Sequence, residues 1–365
     1  MTCFENICWR CACSCFCYRP KRPTWNRSFQ IATSALRNAS QRIYVTHKDV
    51  RVVRVIDNAV IPKWIAPKTE LRVNSKFVGY MGEKLPKCEY FYPTQNVTPF
   101  DLEHQCPSSQ KNSTDTVILY LHGGGFVFTT TGHFRDSLNR VVGCTGAHVI
   151  APNFSRPPEH KFPIARDECV GIYRWLCERF RDPSRQIFIA GDSAGGGLTV
   201  AVTAEIRDRG LPRPAGCVLI SPWCDYADTC DGKSMIENAE FDYIVPDLTI
   251  EISKAYCDEK THNLKEISPC NLKLDSFPPV CMFVGECEIL RDQQEKLAKG
   301  FRDANVDLQY YLGKDMPHVY WLFAFTGMKE CVGVFDKISS FVKKHSGMSS
   351  VIDVDLDVKE EDNGE

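Results

Sequence analysis

Six consecutive residues, Gly191-Asp192-Ser193-Ala194-Gly195-Gly196, directly follow the apolar run Ile187–Ala190. An apolar run that empties into G-x-S-x-G predicts a strand turning sharply into a helix, with the serine presented at the bend. Glycines at 191 and 195 suit that turn, where a side chain would crowd the strained backbone or its neighbour. A second apolar run, Thr116–Leu121, empties into His122-Gly123-Gly124-Gly125. Two strand-ended loops of these types, in this order, point to acyl transfer by a serine nucleophile. A serine hydroxyl is a weak nucleophile near neutral pH. It needs a base to take its proton and a carboxylate to orient that base.

The elements that must hold these groups follow from hydrophobic period. Strands are predicted at Val117–Leu121, His148–Ala151, Gln186–Ala190, Cys217–Ile220, Val280–Val284 and Leu308–Leu312. Helices are predicted at Asp136–Thr145, Ala165–Phe180, Ala194–Asp208, Leu290–Ala304 and Lys329–Lys344. Strands separated by helices of this length imply an α/β protein with a mostly parallel sheet covered on both faces. Upstream, Ser28–Arg42 suits a short amphipathic helix, and alternation at Val50–Ile56, Leu71–Tyr80 and Cys88–Tyr92 suits antiparallel opening strands. Residues 93–115 read as a loop. Residues 225–270 break the rhythm, with a helix expected around Leu248–Tyr256, and read as an insert at the strand ends where a lid would sit.

The base and the acid can be sought by position. Of nine histidines three, His262, His318 and His345, follow Ser193. His262 falls in the insert. His318 lies in Gly313-Lys314-Asp315-Met316-Pro317-His318, just after the last predicted strand, and is the natural base. After Val280–Val284 come three carboxylates, Glu286, Glu288 and Asp292. The plainer reading of any one of them is a surface carboxylate near a helix N-terminus, where negative charge is favoured by ~0.3–1 kcal/mol.

Three motifs together, His122-Gly123-Gly124-Gly125, Gly191-Asp192-Ser193-Ala194-Gly195-Gly196 and Arg156-Pro157-Pro158-Glu159-His160-Lys161-Phe162-Pro163, resemble the hormone-sensitive-lipase-like branch of the α/β-hydrolase superfamily. The resemblance covers roughly residues 80–345. It implies an α/β-hydrolase fold, with a mostly parallel eight-stranded sheet flanked by helices and a helical cap from about 28–50 and 225–270. It implies an esterase in which Ser193 is the nucleophile and His318 the base. The oxyanion donors fall on the backbone N–H groups of Gly124, Gly125 and Ala194, each able to contribute about 2.7–4 kcal/mol to the transition state. His122 is then a support for the glycine loop. The family's D-x-L-x-D acid segment becomes Glu288-Ile289-Leu290-Arg291-Asp292, which assigns the acid to Glu288 with Asp292 in reserve. The extra methylene of Glu288 must be absorbed by a different rotamer. The family's H-G-F after the base is here His318-Val319-Tyr320.

The expected reaction is hydrolysis of a small to medium, apolar carboxylic ester through an acyl-enzyme, with no metal and no cofactor. The alternatives are a non-catalytic small-ligand binder, since some members of this branch have lost the histidine, and an amide or peptide hydrolase with the same machinery. Apolar residues of the insert (Trp223, Tyr226, Phe241, Tyr243, Ile244) and after the base (Tyr320, Trp321, Phe323) could line an acyl or alcohol pocket or simply be core. Composition is that of a globular protein, 43% hydrophobic and 25% charged with a formal net charge of −2. No basic stripe suggests a nucleic-acid surface. No stretch reaches the ~18 apolar residues of a spanning helix.

Nineteen cysteines are unevenly placed. Cys3, Cys8, Cys11, Cys13, Cys15 and Cys17 crowd a leader, residues 1–27, that includes the basic stretch Arg19-Pro20-Lys21-Arg22-Pro23. Three readings of it compete: an exposed leader, S-acylation giving peripheral membrane contact, and a metal site from Cys11, Cys13, Cys15 and Cys17. Scattered cysteines elsewhere read as small buried hydrophobes and favour a reducing, cytoplasmic setting, against which sequons at Asn26, Asn38, Asn96, Asn112 and Asn153 weigh mildly. Residues 346–365 form an acidic, apolar-poor tail expected to be disordered.

Overall fold

The computed structural model describes residues 22–46, 75–78, 85–92 and 116–346, apart from 228–231, 245, 259 and 261. The expected strand Val50–Ile56, the loop 93–115, the cysteine leader up to residue 21 and the acidic tail beyond residue 346 lie outside the described residues.

Eight strands, β1 (Ser75–Val78), β2 (Cys88–Phe91), β3 (Val117–Leu121), β4 (His148–Pro152), β5 (Ile187–Asp192), β6 (Gly216–Ile220), β7 (Val280–Gly285) and β8 (Leu308–Gly313), form one sheet in the order β1-β2-β4-β3-β5-β6-β7-β8. The pairs β1–β2 and β2–β4 are antiparallel and all others parallel. The expected α/β-hydrolase architecture is therefore present. Strands β3 to β7 are buried at every residue, as a parallel sheet covered on both faces requires, and this is why they read as unbroken apolar runs.

Alternation sorts their side chains between two cores. Ile118 and Tyr120 join Phe188, Val218 and Phe283 on one face, under helices α2 (Arg135–Thr145) and α7 (Lys329–His345). Val117, Leu119 and Leu121 face α3 (Ile164–Cys177) and α4 (Ser193–Asp208) with Ile187 and Ile189. Helix α6 (Arg291–Asp303) covers the β7 end through Leu297, Ala298 and Phe301.

Two predicted bounds shift for visible reasons. Strand β5 runs past Ala190 because Gly191 still pairs with Leu121 and Leu219, and Asp192 with Ile220. Helix α3 stops at Cys177 rather than Phe180, where the N–H groups of Arg179 and Phe180 both turn back on the Leu176 carbonyl.

The N-terminal helix α1 (Arg27–Thr46) is longer than predicted and packs at the carboxyl end of the sheet. Most of a helix's stability in a protein comes from tertiary packing, so its anchors matter. Trp25 and Phe29 are buried, at about 1.5–3 kcal/mol for a large apolar side chain. The Trp25 indole donates to the Asp315 carbonyl at 2.7 Å, and Phe29 meets Phe323 edge-on at 5.2 Å. The insert contains helix α5 (Pro246–Tyr256) and two short turns, Lys233–Glu237 and Leu264–Ile267. No helix among the described residues is long and apolar enough to cross a membrane. The cysteines of the described residues are all free thiols.

Candidate active site

Five loops leave the carboxyl ends of β3, β5, β6, β7 and β8, the edge at which open α/β sheets place their sites. The first residue after β5 is Ser193, held at φ +52°. A non-glycine residue there costs of order 1–3 kcal/mol and persists only where its surroundings over-determine it. The surroundings are tight. A Cβ on Gly195 would lie 2.0 Å from the Leu121 carbonyl oxygen, so the helix can start against β3 only with glycine at that position. On the other side the Trp223 N–H donates to the Ser193 carbonyl at 2.8 Å.

The His318 Nε2 atom lies 2.8 Å from Ser193 Oγ. His318 Nδ1 lies 2.8 Å from Glu288 Oε2, a carboxylate with no exposed surface. Glu288 is saturated by further donors. Gln294 Nε2 donates to Oε2 at 2.7 Å, and the Ser221 hydroxyl and Gly285 N–H donate to Oε1 at 2.6 and 2.5 Å. Ser221 in turn accepts the Val319 N–H at 2.9 Å, so one hydroxyl joins the acid to the chain beside the base. Burial acts to lower the His318 pKa, but the hydrogen bond and charge of Glu288, with the charges of Asp242 and Asp192, outweigh it and raise the pKa. An imidazole so placed has one nitrogen for the serine proton and the other fixed as donor to the carboxylate.

The remaining carboxylates lie elsewhere. Asp292, the reserve acid, accepts the Ser234 N–H at 2.8 Å at the head of α6 and is bonded to the insert instead. Glu286 accepts the Asp315 N–H at 2.9 Å, tying the acid loop to the histidine loop. His262 stacks edge-on against Phe162 at 5.0 Å.

Gly124 sits at φ +99°, where a Cβ would strike the Thr129 side chain, and Gly125 at φ +58°. Ala194 is the second residue of α4, so its N–H has no partner within the helix and faces outward from the N-terminus. The loop is pinned from behind. The Thr129 hydroxyl donates to the Gly123 carbonyl at 2.6 Å, His122 Nδ1 lies 2.8 Å from the same oxygen, and Arg156 donates to the Phe128 carbonyl at 3.0 Å. Burial pushes the His122 pKa down to about 3. The ring is therefore neutral, packed on Phe154 at 4.4 Å, and supports the loop. The Gly123 N–H donates to Asp192 Oδ1 at 2.9 Å, and the Tyr120 hydroxyl donates to the same oxygen.

The aromatic residues divide. Trp223 and Tyr226 form a cluster with Phe126 and Tyr256, the last two stacked at 3.8 Å, and Ile252 lies against Gly125. Tyr243 meets the His318 ring edge-on at 6.0 Å. Tyr320, Trp321 and Phe323 are core, and Phe241 lies under the Arg22 guanidinium at 3.7 Å. Sequence reasoning missed Asp192, Ser221, Gln294 and Asp242. Asp192 sits inside the serine motif, next to Ser193, with no role legible from its position alone. The others carry no local signal, because their partners are distant in the chain.

A profile for the alpha/beta hydrolase fold matches residues 118–322. The chain belongs to that family. An esterase of the bacterial hormone-sensitive lipase family superposes with a TM-score of 0.72 at 28% identity, over 87% of this chain and 99% of that one. An acetyl-hydrolase of Streptomyces hygroscopicus is 33% identical over 215 residues, 59% of this chain and 70% of that protein. An esterase of Acinetobacter venetianus is 27% identical over 213 residues, 58% of this chain and 69% of that protein. Within the family, this chain is a hormone-sensitive-lipase-like serine ester hydrolase.

Proposed function

We propose that the chain hydrolyses small to medium, apolar carboxylic esters through an acyl-enzyme formed on Ser193. The observation that carries this reading is the unbroken relay from Ser193 Oγ to His318 and on to Glu288, with both links at 2.8 Å. Ser193 Oγ attacks the ester carbonyl while His318 Nε2 takes its proton, and the imidazolium is held by Glu288. Negative charge gathers on the carbonyl oxygen, toward the N–H groups of Gly124, Gly125 and Ala194. Collapse expels the alcohol, which leaves with the proton from His318. Water, deprotonated by the same ring, then attacks the acyl group, and the second collapse returns the proton to Ser193. Serine, imidazole and fixed amides supply every proton and charge that this cycle moves.

The likeness to an acetyl-hydrolase favours a short acyl group over a long one, and Ile252 against the glycine loop, beside the packed cluster of Phe126, Trp223, Tyr226 and Tyr256, makes that side of the loop apolar. Helix α1 and the insert act as the cap over the site. The leader's six cysteines beside a basic stretch suit S-acylation on the cytoplasmic side, giving a peripheral hold on a membrane. Exchange of Cys8, Cys11, Cys13, Cys15 and Cys17 for serine then releases the protein from membrane fractions.

The deciding experiment pairs a fluorophosphonate probe with hydrolysis of p-nitrophenyl esters of increasing chain length. The expected result is labelling at Ser193 and turnover highest for short acyl chains, both lost in Ser193→Ala. A folded protein that takes up no label and cleaves no ester overturns the reading.

A further inference from the structure

We propose that Asp242, in the insert, is a positioning residue for the hydrolysis inferred above, on which this proposal rests: its carboxylate fixes the acid loop against the base loop and supplies a further negative charge beside His318. Asp242 has no exposed surface. Its Oδ2 accepts the N–H of Ile289, the residue after Glu288, at 2.8 Å. Its Oδ1 accepts the N–H of Tyr243 at 2.8 Å and that of His318 itself at 3.3 Å. Backbone groups from two loops that follow different strands thus converge on one side chain borne by a third segment.

Neighbouring residues of the insert extend the same contact. Asn238 Nδ2 donates to the carbonyls of Glu288 and Glu286 at 2.8 and 3.1 Å. The Ser234 hydroxyl donates to the Ile289 carbonyl at 2.8 Å. Residues 234–242 therefore run as a strap behind the acid loop. The strap is held in turn by α1, whose Arg37 guanidinium donates to the Asp242 carbonyl at 2.8 Å and to that of Ala239. A lid covers a site and can swing away, whereas this part of the insert carries hydrogen bonds without which the acid and base loops have fewer ties to each other.

The carboxylate also acts through its charge. Among the charged groups facing it, His318 favours its ionised form and Glu288 opposes it, while burial is the dominant effect and pushes its pKa up to about 6. Around the imidazole the facing carboxylates are Glu288, Asp242 and Asp192, and Tyr243 meets the ring edge-on. Negative charge at 242 favours protonated His318, the form that must build up as Ser193 loses its proton. The acid limb of kcat/KM reports release of the proton that keeps the free enzyme's base inactive. Removing the charge lowers the His318 pKa, so that limb moves to lower pH.

The test is the pH profile of full-length Asp242→Asn beside wild type and Arg37→Ala. For Asp242→Asn, kcat falls about tenfold or more, as expected when reacting groups lose alignment. Its KM stays within roughly threefold, and its acid limb moves down by roughly half a pH unit or more. For Arg37→Ala, which loosens the strap without removing the carboxylate, kcat falls and the limb stays in place. An Asp242→Asn profile that superimposes on wild type overturns the proposal, and so does a lowered kcat with an unmoved limb, since that is scaffold damage alone. If Asp242→Asn does not fold, unchanged kcat in Arg37→Ala overturns it. Wild type is assayed and labelled first: failure there removes the esterase reading itself, whereas an active wild type with an indifferent Asp242→Asn removes only the role of Asp242.

Discussion

Replacing Glu288 by glutamine tests the acid without dismantling the site, and the structure shows why. Glu288 accepts four hydrogen bonds, two at each oxygen. A glutamine must turn its NH2 toward one of these pairs. Facing Ser221 and Gly285, it would oppose the Gly285 N–H, a buried donor left unpaired at a cost of about 1–3 kcal/mol. Facing His318 and Gln294, it finds acceptors. The Gln294 Oε1 atom is buried with no partner, so rotation of that amide by half a turn satisfies the new NH2, and the carbonyl of residue 288 keeps Ser221 and Gly285. The second arrangement wins, and the fold loses little stability.

It also forces His318 Nδ1 to accept. The ring proton then sits on Nε2, facing Ser193, and the imidazole can no longer take the serine proton. The wrong tautomer is expected to lower kcat by on the order of 10⁴, or about 5.4 kcal/mol of barrier. The assay is hydrolysis of a short p-nitrophenyl ester by Glu288→Gln and Asp292→Asn, with thermal unfolding of both. A Glu288→Gln enzyme within about tenfold of wild type refutes the reasoning, as does an Asp292→Asn enzyme that falls by the larger factor.

Two further outcomes are expected. Gly124→Ala, with a Cβ 2.2 Å from Thr129 Oγ1 at φ +99°, displaces a donor amide and lowers kcat by about 10²–10³ with KM nearly constant; steady-state kinetics within a fewfold of wild type would remove Gly124 from the donor set. His148, buried beside the Tyr90 hydroxyl at 2.6 Å, has its pKa pushed down to about 4 by burial. A depressed value means stability that is fully present above the unfolded pKa of roughly 6.5 and lost as pH falls to about 4, in all about 3 kcal/mol. Thermal unfolding of His148→Gln should depend less steeply on pH across that window, and equal slopes would count against the burial argument.

Strands β3 to β7 were legible because each is buried on both faces, so that Val117–Leu121 and Ile187–Ala190 had to be apolar throughout. Ser193 and His318 were legible because strand ends fix where such residues can stand, and the extra methylene of Glu288 is absorbed with its Oε2 2.8 Å from the ring. Asp242 was not legible. Its bonds to Ile289 and His318 span 47 and 76 positions, through a segment with no period and no motif, and hydrogen bonds at such separation leave no trace in local composition. Ser221 was hidden likewise, a plain serine at a strand end until Glu288 comes within 2.6 Å of it.

Asp192 stands one residue before Ser193, and its Oδ1 holds both the Gly123 amide and the Tyr120 phenol. The proposed nucleophile and the loop proposed to hold the oxyanion are thus hung from a single peg. One carboxylate thereby joins the strand end that carries Ser193 to the loop that carries Gly124 and Gly125. Redesign that tries to retune either half alone will find the two inherited together.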